Sequence, residues 1–116
     1  MENNFVSKSS FDNRLKESNK ILTKYPDRIP IIVERVKKSD LPIIDKSKYL
    51  VPKDMTVSQF FFIIRKRIKL NQSQALFMTV NGSLLSTNDT IGDVYNNYKN
   101  KDNFLYMLYT GENTFG

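Results

Sequence analysis

The stretch Thr56-Val57-Ser58-Gln59-Phe60-Phe61-Phe62-Ile63-Ile64-Arg65-Lys66-Arg67-Ile68 decides how the chain is read. Thr56 followed three residues later by Gln59 is a capping box, in which each side chain satisfies a backbone N–H that the first helical turn leaves open. Val57, Phe60, Phe61, Ile64 and Ile68 then recur at helical spacing, which gives one long helix with one apolar face. Arg65, Lys66, Arg67 and Lys69 close it, where cations suit the negative end of the helix dipole.

Beyond this helix, Leu76 to Val80, Asn81-Gly82 and Leu84-Leu85 predict a β-hairpin, because both central residues of a type I′ turn need positive φ. Thr90-Ile91-Gly92-Asp93 opens a short helix that carries Ile91, Val94, Tyr95 and Tyr98 toward a core, and Phe104 to Thr110 reads as a last strand. Before the long helix, the β-branched run Ile29 to Val36 predicts a first strand, with Pro30 near its start where a strand tolerates it. Lys48 to Pro52 predicts a second, with Lys48 and Leu50 on one face and Tyr49 and Val51 on the other. Further back, Phe11, Leu15 and Leu22 share a helical face beside Ile21, Ser10 can cap it, and Tyr25-Pro26 ends it. Phe5 and Val6 predict a short helix within the first ten residues.

From residue 28 the order is strand, strand, long helix, strand, strand, short helix, strand. This is the order of an α+β, ubiquitin-like β-grasp with an N-terminal helical extension. The expected division is residues 1–25 for the extension, 26–110 for the β-grasp core and 111–116 for a flexible C-terminal tail.

Composition narrows the chemistry. The 116 residues suit one domain. With 0 Cys and 0 His, the common zinc ligands, the thiolate nucleophile and the usual general base are missing. The 4 glycines form no phosphate-binding loop, so the chain reads as a non-enzyme that needs no metal or cofactor. The N-terminus lacks a signal-peptide pattern, and the apolar run Phe104 to Tyr109 is far short of the roughly twenty residues that span a bilayer as a helix. A cytoplasmic location is expected, with any membrane contact peripheral or covalent. Lys+Arg minus Asp+Glu is +6 over residues 29–70 and −2 over 71–116. That field favours acidic peptides, anionic headgroups or nucleic acid without choosing among them.

Four segments together resemble the autophagy-related protein 8 family, which includes the GABA-A receptor-associated protein and microtubule-associated light chain 3 branches. They are Lys24-Tyr25-Pro26-Asp27-Arg28-Ile29-Pro30, Lys48-Tyr49-Leu50-Val51-Pro52, Val57-Ser58-Gln59-Phe60 through Ile64-Arg65-Lys66-Arg67-Ile68, and Phe104-Leu105-Tyr106 with a terminal glycine. The likeness is nearer the GABA-A receptor-associated branch. It implies a modifier whose Gly116 is activated by ubiquitin-type activating and conjugating enzymes, after trimming by a processing cysteine protease, and joined to phosphatidylethanolamine on the autophagosome membrane. A glycine without Cβ suits a tail that must thread narrow enzyme clefts.

The resemblance also implies capture of short aromatic-x-x-aliphatic motifs, borne by cargo receptors and autophagy proteins, as an added strand along Lys46 to Val51. An aromatic pocket would be lined by Glu17, Ile21, Pro30 and Ile32, with Lys48, Leu50 and Phe104. An aliphatic pocket would use Tyr49, Val51, Pro52, Met55, Phe60 and Ile63, where Met55 and Ile63 stand for residues more often leucine. Arg28, Lys46 and Arg67 would meet an acidic flank. Microtubules are a further partner the family suggests, and nucleic acid is not expected, because the Arg65 to Lys69 cluster lacks interleaved exposed aromatics. The alternatives are a protein-conjugated modifier and a basic microtubule- or RNA-binding module.

Overall fold

The computed structural model describes residues 4–112, so the expected conjugation residue Gly116 lies outside the described residues. Helices α1 (Asn4–Lys8) and α2 (Phe11–Lys24) precede strands β1 (Arg28–Arg35) and β2 (Lys48–Pro52). Then come α3 (Val57–Arg67), β3 (Phe77–Val80), β4 (Ser83–Leu84), α4 (Ile91–Tyr98) and β5 (Leu105–Thr110). The sheet runs β2-β1-β5-β3-β4, with β1 and β5 parallel at its centre and the other neighbours antiparallel. This is an α+β, ubiquitin-like arrangement with two helices ahead of it.

The capping box forms at both contacts: the Gln59 N–H donates to Thr56 Oγ1 at 3.1 Å, and the Thr56 N–H donates to Gln59 Oε1 at 2.9 Å. The stripe Val57, Phe60, Ile64 and Ile68 is buried against Ile29, Ile31 and Val33 of β1 and their neighbours. Asn81 and Gly82 take φ of 51° and 79°, the pair of left-handed residues a type I′ turn demands. Burial on both faces explains the unbroken apolar run of β1: alternate residues Ile29, Ile31 and Val33 face α3, while Pro30 and Ile32 face the other way.

The second face is held differently from what the apolar spacing of α2 suggests. Phe11 remains 43% exposed, and the buried residues of α2 are Arg14 and Ser18. Arg14 Nε lies 2.9 Å from Oδ2 of Asp102, a carboxylate with 0% exposure. Asp102 also accepts from the Phe104 N–H at 3.0 Å and from the Tyr106 hydroxyl, while Ser18 Oγ donates to the Asp102 carbonyl at 2.6 Å. The Arg14 guanidinium reaches on to the carbonyls of Val6 and Ser9. A buried charge is tolerable only when its hydrogen-bonding capacity is filled, and this network fills it while tying α1 and α2 to the sheet.

Candidate functional site

β2 is an edge strand. Its register with β1 pairs Ile29 with Val51 and Ile31 with Tyr49, and the ladder continues through Lys53 N–H to the Asp27 carbonyl and Val33 N–H to the Ser47 carbonyl. In an antiparallel pair, alternate residues turn their N–H and C=O groups to the partner. Ser47, Tyr49 and Val51 therefore spend theirs on β1, and Lys48 and Leu50 turn theirs outward, where no strand among the described residues meets them. Buried backbone groups are nearly always paired, so such a row persists only in contact with water or an added strand.

The two side-chain faces of this edge differ. Lys48 and half-buried Leu50 point to the α2 side, near Glu17, with which Lys48 forms an ion pair, and near half-buried Ile21. Beneath them Pro30, Ile32 and Phe104 are buried and act as floor rather than wall. Phe5 of α1 closes part of that floor: its ring meets Phe104 edge-on at 5.0 Å, and Lys48 Nζ sits 5.3 Å from its centroid. The first ten residues gave no hint of this contact beyond the presence of a lone aromatic.

On the α3 side Tyr49 and Val51 are buried in the core, and the Tyr49 ring meets Phe60 edge-on at 5.7 Å. Phe60 is wholly buried, so the surface available there comes from exposed Pro52, half-buried Met55 and Ile63, which is 37% exposed. Phe62 adds to the exposed apolar area of α3 at 53%, with Lys66 Nζ 4.7 Å from its ring. Cavities of about 450 Å³ at the Ser47 end of β2 and about 1080 Å³ along the outer face of α2 share only Glu17 with the residues expected from the sequence.

Of the expected cations, Arg67 is engaged: its Nε lies 2.9 Å from Asp45 Oδ1. That pair holds the Asp45 carboxyl below its ordinary value and the Arg67 guanidinium above its own. Lys46 lies over the Tyr49 ring at 5.2 Å, and Arg28 over Tyr25 at 6.0 Å, both exposed. Arg65 donates to the carbonyls of Asn71 and Gln74, each at 2.8 Å, so it fastens the loop after α3. The basic cluster of α3 is thus largely structural. Burial of Tyr49 pushes its phenol up to about 12, and burial together with the Asp102 hydrogen bond raises Tyr106 as well.

The family model described as "Autophagy protein Atg8 ubiquitin like" matches residues 13–116. The chain belongs to the Atg8 family. It is 51% identical over 112 residues to autophagy-related protein 8e of Arabidopsis thaliana, covering 97% of this chain and 92% of that one. It is 50% identical over 116 residues to autophagy-related protein 8 of Schizosaccharomyces pombe, covering 100% and 96%. The crystal structure of Trypanosoma brucei ATG8 superposes with a TM-score of 0.91 at 40% identity, covering 100% of both chains. This Atg8-family chain is therefore a ubiquitin-like autophagy protein, and no helix among its described residues is long and apolar enough to cross a membrane.

Proposed function

We propose that this Atg8-family chain is a modifier and adaptor, not an enzyme, which is joined through Gly116 to phosphatidylethanolamine on autophagosomal membranes and there captures aromatic-x-x-aliphatic motifs. The observation that carries the reading is the unpaired edge of β2, where the outward backbone groups of Lys48 and Leu50 run between two apolar surfaces of different make. An added peptide strand gains main-chain hydrogen bonds from the edge and specificity from the faces. Residues three apart on an extended peptide point to opposite faces, which matches an aromatic side chain on the Ile21 and Leu50 side and an aliphatic one on the Met55 and Ile63 side. Lys46 and Arg28 lie exposed for acidic neighbours of the motif.

In this reading residues 1–25 brace the β-grasp core of 26–110, and 111–116 form the tail used by activating and conjugating enzymes after protease trimming. The partners are motif-bearing cargo receptors and autophagy proteins, and the location is cytoplasmic until the lipid is attached. Titration of the full chain with an acidic Trp-x-x-Leu peptide tests the docking. Leu50→Ala is expected to weaken it about tenfold, the equivalent of about 1.4 kcal/mol of lost contact, with the fold intact. Unchanged affinity would remove Leu50 from the site. Gly116→Ala is expected to abolish attachment to phosphatidylethanolamine by the conjugating enzymes, and equal attachment of both forms would refute the tail assignment.

A further inference from the structure

The root of the tail and the loop after β1 are built together. Tyr109 pairs with Arg35 in the parallel ladder, and its carbonyl accepts from the Val36 N–H at 2.8 Å. The Gly111 N–H then donates to Ser39 Oγ at 3.3 Å, and a Cβ on Gly111 would lie 3.1 Å from two side-chain carbons of Leu41. The chain therefore leaves β5 in contact with residues 39–41. Consecutive Cα atoms are about 3.8 Å apart, so Ile43 lies within about 8 Å of Leu41.

Ile43 keeps 74% of its surface exposed, more than any other large apolar side chain among the described residues, and Pro42 beside it is exposed as well. That exposure is enforced. The buried Tyr109 hydroxyl donates to the Pro42 carbonyl at 2.6 Å and accepts from the Ile44 N–H at 2.8 Å, and Arg35 holds the carbonyls of Ser39 and Leu41 at 2.9 and 2.8 Å. Turning Ile43 inward would break bonds on both sides of it, a penalty that matches the gain from hiding one isoleucine.

The charges around this tip are unequally committed. Lys8 of α1 and Lys37 line the same open cavity as Ile43, about 450 Å³, and Lys38 follows at the surface. None of these lysines forms an ion pair among the described residues, whereas Asp45 is paired with Arg67, and half-buried Arg35 and Glu34 cancel. Asp40 and Glu112, both exposed beside Leu41 and Gly111, oppose the lysines. Three lysines against two carboxylates leave a surplus of one positive charge around an aliphatic tip.

We infer that the Pro42-Ile43 tip and the lysines around it rest on the anionic surface of the membrane to which the tail is attached, with Ile43 at the boundary of headgroups and acyl chains. The inference rests on the lipid-attachment reading above. Six residues, Gly111 to Gly116, separate β5 from the lipid and reach no farther than about 22 Å, whatever their path. So short a tether supplies an effective concentration on the order of millimolar, and a weak contact beside its root becomes populated. Aliphatic burial and the attraction of lysines to anionic headgroups add at such a contact. With this end seated, β2 rises away from the membrane from Lys48 to Pro52, and its edge stays open to a peptide.

The test exploits a chain with 0 Cys: Gly116→Cys gives a single site for chemical coupling to a maleimide-bearing phosphatidylethanolamine, independent of any enzyme. The coupled full chain is placed on nanodiscs of phosphatidylcholine, with or without phosphatidylserine, that carry a headgroup spin label, and isoleucine methyl signals are recorded. Ile43 and Ile44 are expected to broaden, while Ile21, in the last turn of α2 just before the far end of β1, stays sharp. Phosphatidylserine is expected to raise the share of molecules in contact about twofold to fivefold, the worth of up to one surplus charge. Ile43→Ser is expected to remove the broadening at Ile44 with the melting temperature unchanged, and Lys37→Ala with Lys38→Ala to remove the response to phosphatidylserine. Broadening of Ile21 equal to that of Ile43, broadening at Ile44 that survives Ile43→Ser, or indifference to phosphatidylserine overturns the contact while the lipid-attachment reading stands. Failure of the conjugating enzymes to attach the natural chain to phosphatidylethanolamine overturns that reading instead, and the contact with it, whatever the nanodiscs show.

Discussion

Arg14→Met would remove one half of the buried pair with Asp102 and leave a carboxylate of 0% exposure facing an apolar side chain. Breaking such a pair from one side costs about 3–5 kcal/mol, because the charge left behind is buried without a counterion. Asp102 would keep its bonds from the Tyr106 hydroxyl and the Phe104 N–H, which places the expected loss near the lower limit, about 3 kcal/mol. That is a large part of the 5–15 kcal/mol typical of a domain. The assay is urea denaturation, read as a drop in midpoint at unchanged slope. Because Arg14 also holds the Val6 and Ser9 carbonyls, α1 should loosen, and the Phe5 ring resonances should lose their contacts to Phe104. The double variant Arg14→Met with Asp102→Asn should recover about 1–3 kcal/mol relative to the sum of the single changes, since no buried charge then remains. A loss below about 1 kcal/mol for Arg14→Met, or strict additivity in the double variant, would refute the claim that this pair fastens the helical extension.

Tyr49→Phe should raise stability by about 1 kcal/mol, because the Tyr49 hydroxyl is buried with no hydrogen-bond partner among the described residues and its removal ends that penalty; a loss of stability in the same denaturation assay would show the hydroxyl to be satisfied. The phenols of Tyr49, Tyr95, Tyr106 and Tyr109 are all raised by burial, so the fold favours their neutral forms. Their contribution is complete below pH about 10, where unfolded tyrosines also stay neutral, and is lost as pH climbs from about 10 toward 12 and beyond. With 0 His, the melting temperature should be nearly flat from pH about 5.5 to 9 and then fall; a step near pH 6.5 would contradict this.

Much of the fold is written locally. The Thr56 capping box with its stripe, and the Asn81-Gly82 turn, need only neighbours a few residues away, and β2 falls on its expected bounds Lys48–Pro52. What escaped the sequence depends on distant partners. Arg14 and Ser18 look like solvent-facing residues of α2 until Asp102, on the far side of the chain, is brought beside them, and Phe11 then gives up the buried face. Arg14 and Ser18 do sit one turn apart in line with half-buried Ile21, a signal that an apolar pattern search passes over. Around the β2 edge, the residues that the resemblance implied carried no layering: Ile32, Phe60 and Phe104 are buried at its base, Phe5 packs on Phe104, and Phe62 adds exposed apolar surface that spacing alone did not show.

The most direct measurement is amide hydrogen exchange at Lys48 and Leu50, with and without an acidic Trp-x-x-Leu peptide at saturation. An open β2 edge predicts fast exchange at both amides in the free chain and strong slowing on binding, while Tyr49 and Val51 are already protected by β1. Protection of Lys48 and Leu50 in the free chain, or no slowing with peptide bound, would contradict the account.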